Sequence, residues 1–116
     1  MDTIKINKRK NTAFCYIKKE YKKAIHIWKG FPVYVSLLIK DNNKIIIISK
    51  FKINDPNIIY TKKVIATQNN KTAKGVRITI PYDIITLLDI TENIDCPISV
   101  ESFNDKEVLQ IEVSPS

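Results

Sequence analysis

The stretch RITIPYDIITLLDI, Arg77 to Ile90, changes its apolar period halfway along. Ile78 and Ile80 alternate with Arg77, Thr79 and Pro81, which is strand patterning to about Ile80. Pro81 fixes φ and lacks an N–H, so it suits the first turn of a helix. Asp83 follows in that turn, where the helix dipole favours a carboxylate. Ile84, Leu87 and Leu88 then recur at helical spacing and, with Ile80, form one apolar stripe. The pattern predicts a helix of about two turns that stops near Asp89. Beyond it lie the alternating PISVES, a polar turn FNDK and the strand-like EVLQIEV. The order is β-α-β-β with a closing hairpin.

The same pattern occurs once before, 63 positions earlier. Ile80, Ile84, Leu87 and Leu88 fall on Ile17, Tyr21, Ala24 and Ile25, and Asp83 falls on Glu20. Ile98 and Val100 fall on Val35 and Leu37, the turn NDKE on DNNK, and Val108, Leu109 and Ile111 on Ile45, Ile46 and Ile48. Identities are few, so what repeats is the pattern: strand, helix stripe, turn and hairpin keep one register without a gap from Ile17 to Ile48. An earlier β-like piece precedes each copy, TIKIN at 3–7 and KKVIATQ at 62–68. The reading is therefore one domain over 1–116, with a first repeat at 1–51, a connector at 52–60 around Asp55-Pro56, and a second repeat at 61–113. Each half is too small to bury a core alone, so the two must share one. The expected class is mainly β with two short helices (α+β).

The charge is segregated. The net +7 is distributed as nine basic and two acidic residues in 1–30, four and two in 31–60, five and none in 61–77, and one and eight in 78–116. Two basic segments that open the two halves, followed by an acidic end, point to a polyanion partner; a solvated lysine-rich surface is the alternative. Within them, Lys8, Arg9 and Lys10 form a loop run matched by Lys71 and Lys74. Lys22 and Lys23 are adjacent on a helix whose inward positions are taken by Tyr21, Ala24 and Ile25. Arg77 is placed to reach a base edge or a phosphate, or to form a structural ion pair.

Other classes lose ground. No apolar run approaches the roughly 20 residues that cross a bilayer, and no apolar signal region follows the charged N-terminus. Cys15 and Cys96 lack zinc spacing and read as buried thiols. His26, the one histidine, has no second ligand spaced to join it. The sequence contains no Ser-His-Asp pattern, glycine-rich phosphate loop or zinc motif, so neither an enzyme nor a cofactor, metal or small-molecule substrate is expected. An intracellular, cytoplasmic protein is expected, and the Ile/Lys/Asn excess suggests an archaeal or archaeal-virus source.

RITIPYDIITLLDITENIDCPISVES resembles the AbrB/SpoVT swapped-hairpin family, with Arg77, Ile80, Pro81, Asp83, Leu87, Leu88, Ile90 and Ile98 on that family's pattern. CYIKKEYKKAIHIWKGFPVYV fits more loosely, through Glu20, Ala24, Ile25, Ile27, Gly30, Val33 and Val35. Lys18 stands in place of the proline and Phe14 in place of the strand arginine. The resemblance implies a swapped-hairpin β-barrel built from two tandem β-α-β-β repeats in one chain, and a double-stranded-DNA-binding transcription regulator. It places DNA contacts at two helix positions, here Lys22 and Lys23 in the first half but Ile85 and Thr86 in the second. The strand arginine is present only as Arg77, so the two halves divide the basic set.

Antitoxins of the same fold bind a partner protein through a long tail after the barrel. The last strand here is expected to end near Val113, which disfavours that reading. A single-strand binder would use aromatic residues as stacking platforms. Trp28, Phe31 and Tyr34 fall where that family carries polar residues. They are either core of a differently packed first half or an exposed patch that pairs two chains into a homodimer.

Overall fold

The computed structural model describes residues 2–68 and 74–113. Its elements are β1 (Thr3–Lys8), β2 (Ala13–Ile17), α1 (Lys19–Ala24), β3 (Pro32–Lys40), β4 (Asn43–Ser49), β5 (Ile58–Ile65), β6 (Thr67–Gln68), β7 (Val76–Ile80), α2 (Tyr82–Leu87), β8 (Ile94–Phe103) and β9 (Lys106–Val113). The fold is mostly antiparallel β with two short helices, as the periodicities predict. The strand order is β5-β3-β4-β9-β8-β1-β2-β7-β6. Only Ala66 separates β5 from β6, so the sheet comes round on itself as a nearly closed barrel.

Most of the pairing joins residues far apart in sequence. Thr3 to Ile6 of β1 lie opposite Pro97 to Ile94 of β8, and Val33 to Leu37 of β3 opposite Val64 to Tyr60 of β5. Ala13–Ile17 runs against Ile80–Val76, and Lys44–Ile48 against Val113–Leu109. The inward phase of these strands supplies the main core, including Ile6, Cys15, Ile17, Val35, Ile46, Ile48, Ile78, Leu109 and Ile111. The run Ile45–Ile48 is continuous because both faces of β4 are covered. Ile46 and Ile48 point into the barrel, while Ile47 joins Leu38, Ile53 and Val108 in a second cluster. Ile53 is only 4% exposed, so the connector covers the back of the sheet.

Local chemistry shapes the ends of the elements. Asp41-Asn42 and Asn104-Asp105 form two-residue hairpin turns with positive φ at both positions, the geometry of type I′ turns and of the residues that tolerate it. After α1, the His26 N–H donates to the Lys23 carbonyl and the Ile27 N–H to that of Lys22; Asp89 and Ile90 do the same to Thr86 and Ile85 after α2. Both helices thus end in a Schellman motif whose left-handed residue, His26 (φ 60°) or Asp89 (φ 55°), is not glycine. The Tyr21 hydroxyl donates to the Asp2 carboxylate, a bond that pushes the phenol up to about 12. Burial pushes the Cys15 thiol up to about 12 as well, with Cys96 adding to it, and both cysteines are free and buried.

Three expectations change. Pro81 is the residue before α2 and not its first helical residue. Leu87 is 53% exposed, and Ile85, 2% exposed, takes its place in the core. The buried arc runs Ile84, Leu88, Ile85, and at about 100° per residue Leu87 falls beyond its edge. The last three residues assigned to the connector, Ile58 to Tyr60, belong to β5, whose β-branched residues extend the pairing with β3.

Residues 1–55 carry β1 to β4 and keep the pairings of β1 with β2 and β3 with β4, but lose β8 beside β1, β7 beside β2, β5 beside β3 and β9 beside β4. Expressed alone, this fragment is expected to remain disordered, aggregate or pair with itself. Cooperative thermal unfolding of a monomeric fragment would show that the first half owns its core.

Candidate nucleic-acid interface

Antiparallel pairing of β2 with β7 brings the end of β2 and the start of α1 beside the residues that lead into β7. At this junction Lys19, Lys22, Lys23 and Lys29 share a shallow cleft of about 360 Å³ with Lys74, Gly75 and Val76. Among the described residues, no carboxylate lines it. Lys19, Lys22 and Lys23 are related by i, i+3 and i+4, so one face of α1 carries all three. Lys22 is half-buried and Lys23 exposed. Ile85, 63 positions after Lys22, lies in the core, so α2 presents no such face.

At Gly75 the backbone lies close against that of Ile17 and Lys18. A Cβ built there would lie 2.1 Å from the Ile17 carbonyl oxygen, a distance no side chain sustains. Gly30, by contrast, has open space around it but φ of 88°, and its N–H donates to the Ala66 carbonyl at 2.7 Å. The chain's two glycines therefore answer to different constraints, one steric and one conformational.

A second cationic group lies on the outward face of the same strands. Tyr16 pairs opposite Arg77, and Phe14 opposite Thr79. The guanidinium carbon of Arg9, from the loop after β1, lies 5.4 Å from the Phe14 ring centroid, and that of Arg77 lies 5.5 Å from it. Tyr16 packs edge-on against the same ring at 5.2 Å. Arg77 Nε donates to the Thr67 hydroxyl at 3.3 Å.

Of the residues expected at this interface, Lys22, Lys23 and Lys74 meet in the cleft, and Arg9 and Arg77 meet at Phe14. Lys10 is exposed in the loop. Lys8 turns its ammonium back on that loop, donating to the carbonyls of Arg9 and, at 2.8 Å, of Lys10. Lys71 lies outside the described residues. Lys19, Lys29 and Gly75 were not anticipated. The i, i+3, i+4 spacing offered a signal for Lys19, whereas the place of Lys29 depends on how the chain turns after α1.

The aromatic group lies elsewhere. Trp28 and Phe31 are 46% and 60% exposed, and Tyr34 is half-buried, so the first two are not core. Lys50 Nζ lies 5.4 Å from the Trp28 ring centroid and Lys63 Nζ 5.8 Å from that of Tyr34, both within cation–π range. His26, Ile27, Trp28, Phe31, Pro32 and Lys50 enclose a cleft of about 270 Å³. Among the described residues no group of three or more His, Cys, Asp or Glu is arranged to hold a metal ion, and no helix is long and apolar enough to cross a membrane.

Gly75→Ala is expected to force β7 away from β2 at the cleft and to destabilise the protein by about 1–3 kcal/mol in denaturant unfolding. Gly30→Ala meets no atom and should cost only the left-handed backbone term, about 1 kcal/mol. Equal losses at the two sites would contradict the steric role of Gly75.

Compared with family models, curated proteins and solved structures, the chain matches none of them.

Proposed function

We propose that the chain is a double-stranded-DNA-binding protein, built as two interlocked β-α-β-β units of the AbrB/SpoVT swapped-hairpin kind and acting in transcription regulation. The observation that carries this reading is the meeting of the two basic segments: Lys74 with the α1 lysines, and Arg77 with Arg9. These cations are far apart in sequence, so a merely solvated lysine surface gives no reason for them to converge. Phosphate contacts supply most of the affinity in such interfaces, and lysine ammonium groups suit them as point charges.

The two-unit architecture draws support from the pairing scheme. When the two parts of the chain are exchanged, β1·β8 corresponds to β3·β5 and β1·β2 to β6·β7, while β2·β7 and β4·β9 map onto themselves. Among the described residues, the six non-glycine residues with positive φ also form three pairs 63 positions apart: His26 and Asp89, Asp41 and Asn104, Asn42 and Asp105.

If four to six phosphates are contacted, log K for a random duplex should fall against log salt with a slope of about −4 to −5. Lys22→Glu with Lys23→Glu should weaken binding far more than Lys40→Glu on the β3–β4 hairpin. Equal effects would reduce the charge to a generic surface.

The exposed aromatics favour a second, compatible reading: two chains associate through Trp28 and Phe31. A face-to-face contact also brings Lys50 and Lys63 of each copy together, so screening should tighten it as salt weakens DNA binding. Trp28→Ser with Phe31→Ser should leave a folded monomer by light scattering. A wild-type protein that stays monomeric at high salt would end this reading.

A further inference from the structure

Arginine occurs only twice in this chain, against seventeen lysines, and both arginines are directed at one ring. Arg9 and Arg77 come from different parts of the molecule and meet only because β2 lies between β1 and β7. Phe14 is half-buried, held in the sheet by pairing with Asn7 on one side and Thr79 on the other, and braced by the Tyr16 ring. A guanidinium stacks on an aromatic face while keeping its in-plane N–H groups available, which an ammonium cannot match. Each fork lies over the ring with one N–H already donated, Arg77 Nε to the Thr67 hydroxyl at 3.3 Å and Arg9 Nη1 to the Lys8 carbonyl at 3.4 Å, which leaves its other N–H groups for a ligand.

Distance decides how the pair can act. Both guanidinium carbons lie within 5.5 Å of one centroid, hence within about 11 Å of each other, inside the roughly 12 Å width of a DNA major groove. They are far too close to serve two half-sites separated by about 34 Å, one helical turn. The pair is also lopsided. Phe14 and Arg77 stand 63 positions apart at matching places on β2 and β7, so the two strands present an aromatic and an arginine where a symmetric reader would present two arginines.

We infer that Phe14 is a positioning residue that holds Arg9 and Arg77 as a single two-fork reader of base edges, and that the duplex site it recognises is guanine-containing and not palindromic. The inference rests on the DNA-binding reading and assigns its two functions to different cations. The lysine cleft holds phosphates and sets affinity, while the arginine pair reads bases and sets specificity.

The test has two arms. In the free protein the two arginine Nε–Hε groups should give two NMR signals, both shifted by the Phe14 ring current. Phe14→Leu should move both signals, while Phe14→Tyr should keep them near their wild-type positions. A Phe14→Leu spectrum in which either signal stays in place overturns the positioning role, whatever the protein binds. In the second arm, selection from randomised duplexes by the monomeric Trp28→Ser, Phe31→Ser protein should enrich a guanine-containing site without two-fold symmetry. Phe14→Leu should lower the preference for that site over random duplex about tenfold while leaving the salt slope unchanged. Arg9→Lys and Arg77→Lys keep the charge but lose the fork, and should do the same even if Phe14→Leu folds poorly. A palindromic selected site, or a preference that survives both lysine variants, overturns the inference. Failure of the wild type to bind any duplex at low salt overturns the DNA reading, and the base-reading role with it, while the arginine signals still decide the positioning role.

Discussion

The structure depends on hydrogen bonding across the seam between residues 2–51 and residues 58–113. β2 pairs with β7, β4 with β9, β1 with β8 and β3 with β5. Buried backbone N–H and C=O groups must be paired, and about fifty residues cannot enclose a core large enough to stand alone. Each part of the chain therefore completes its sheet with the other's strands. Ile17, Ile46 and Ile48 share one interior with Ile78, Ile80, Leu109 and Ile111.

That seam also distributes the charge. Running β2 against β7 puts Lys74 beside the α1 lysines and Arg77 beside Phe14 and Arg9. β2 and β7 themselves carry no carboxylate, whereas Glu101, Glu107 and Glu112 lie on β8 and β9. The sheet order separates β9 from β7 by three strands. The carboxylates of β8 and β9 thus lie on other strands than β2 and β7, although the turn at Asp105–Glu107 borders the end of α1 at Ile25 and His26.

Departures from internal correspondence mark where the two parts differ in side-chain chemistry and burial. Lys22 is half-buried at the cleft while Ile85 is core; Phe14 is an arginine platform while Arg77 is one of the arginines. Trp28 and Phe31 are exposed, with Thr91 and Ile94 at the positions 63 later. The connector adds a further difference by burying Ile53 against Leu38, Ile47 and Val108 on the back of the sheet. Its Asp-Pro turn advertised a linker, but one apolar side chain among polar neighbours was too weak a pattern to announce a covering segment.

By itself the sequence determined the elements that short-range physics controls: the strand period at 76–80, the two helices, the type I′ hairpin turns, and the spacing that repeats them. Charge segregation was equally open to reading, because it is a property of composition. Even so, a helix of six residues left Leu87 and Ile85 open to exchange, since one step of 100° separates core from solvent at the edge of a stripe. Which cations meet was decided only by the tertiary structure. Arg9, Phe14 and Arg77, or Lys22 and Lys74, become neighbours through strand register, and a slip of one residue would turn β2's outward Phe14 and Tyr16 to the interior. Register is set by the whole closed sheet, and no local window of the chain contains it.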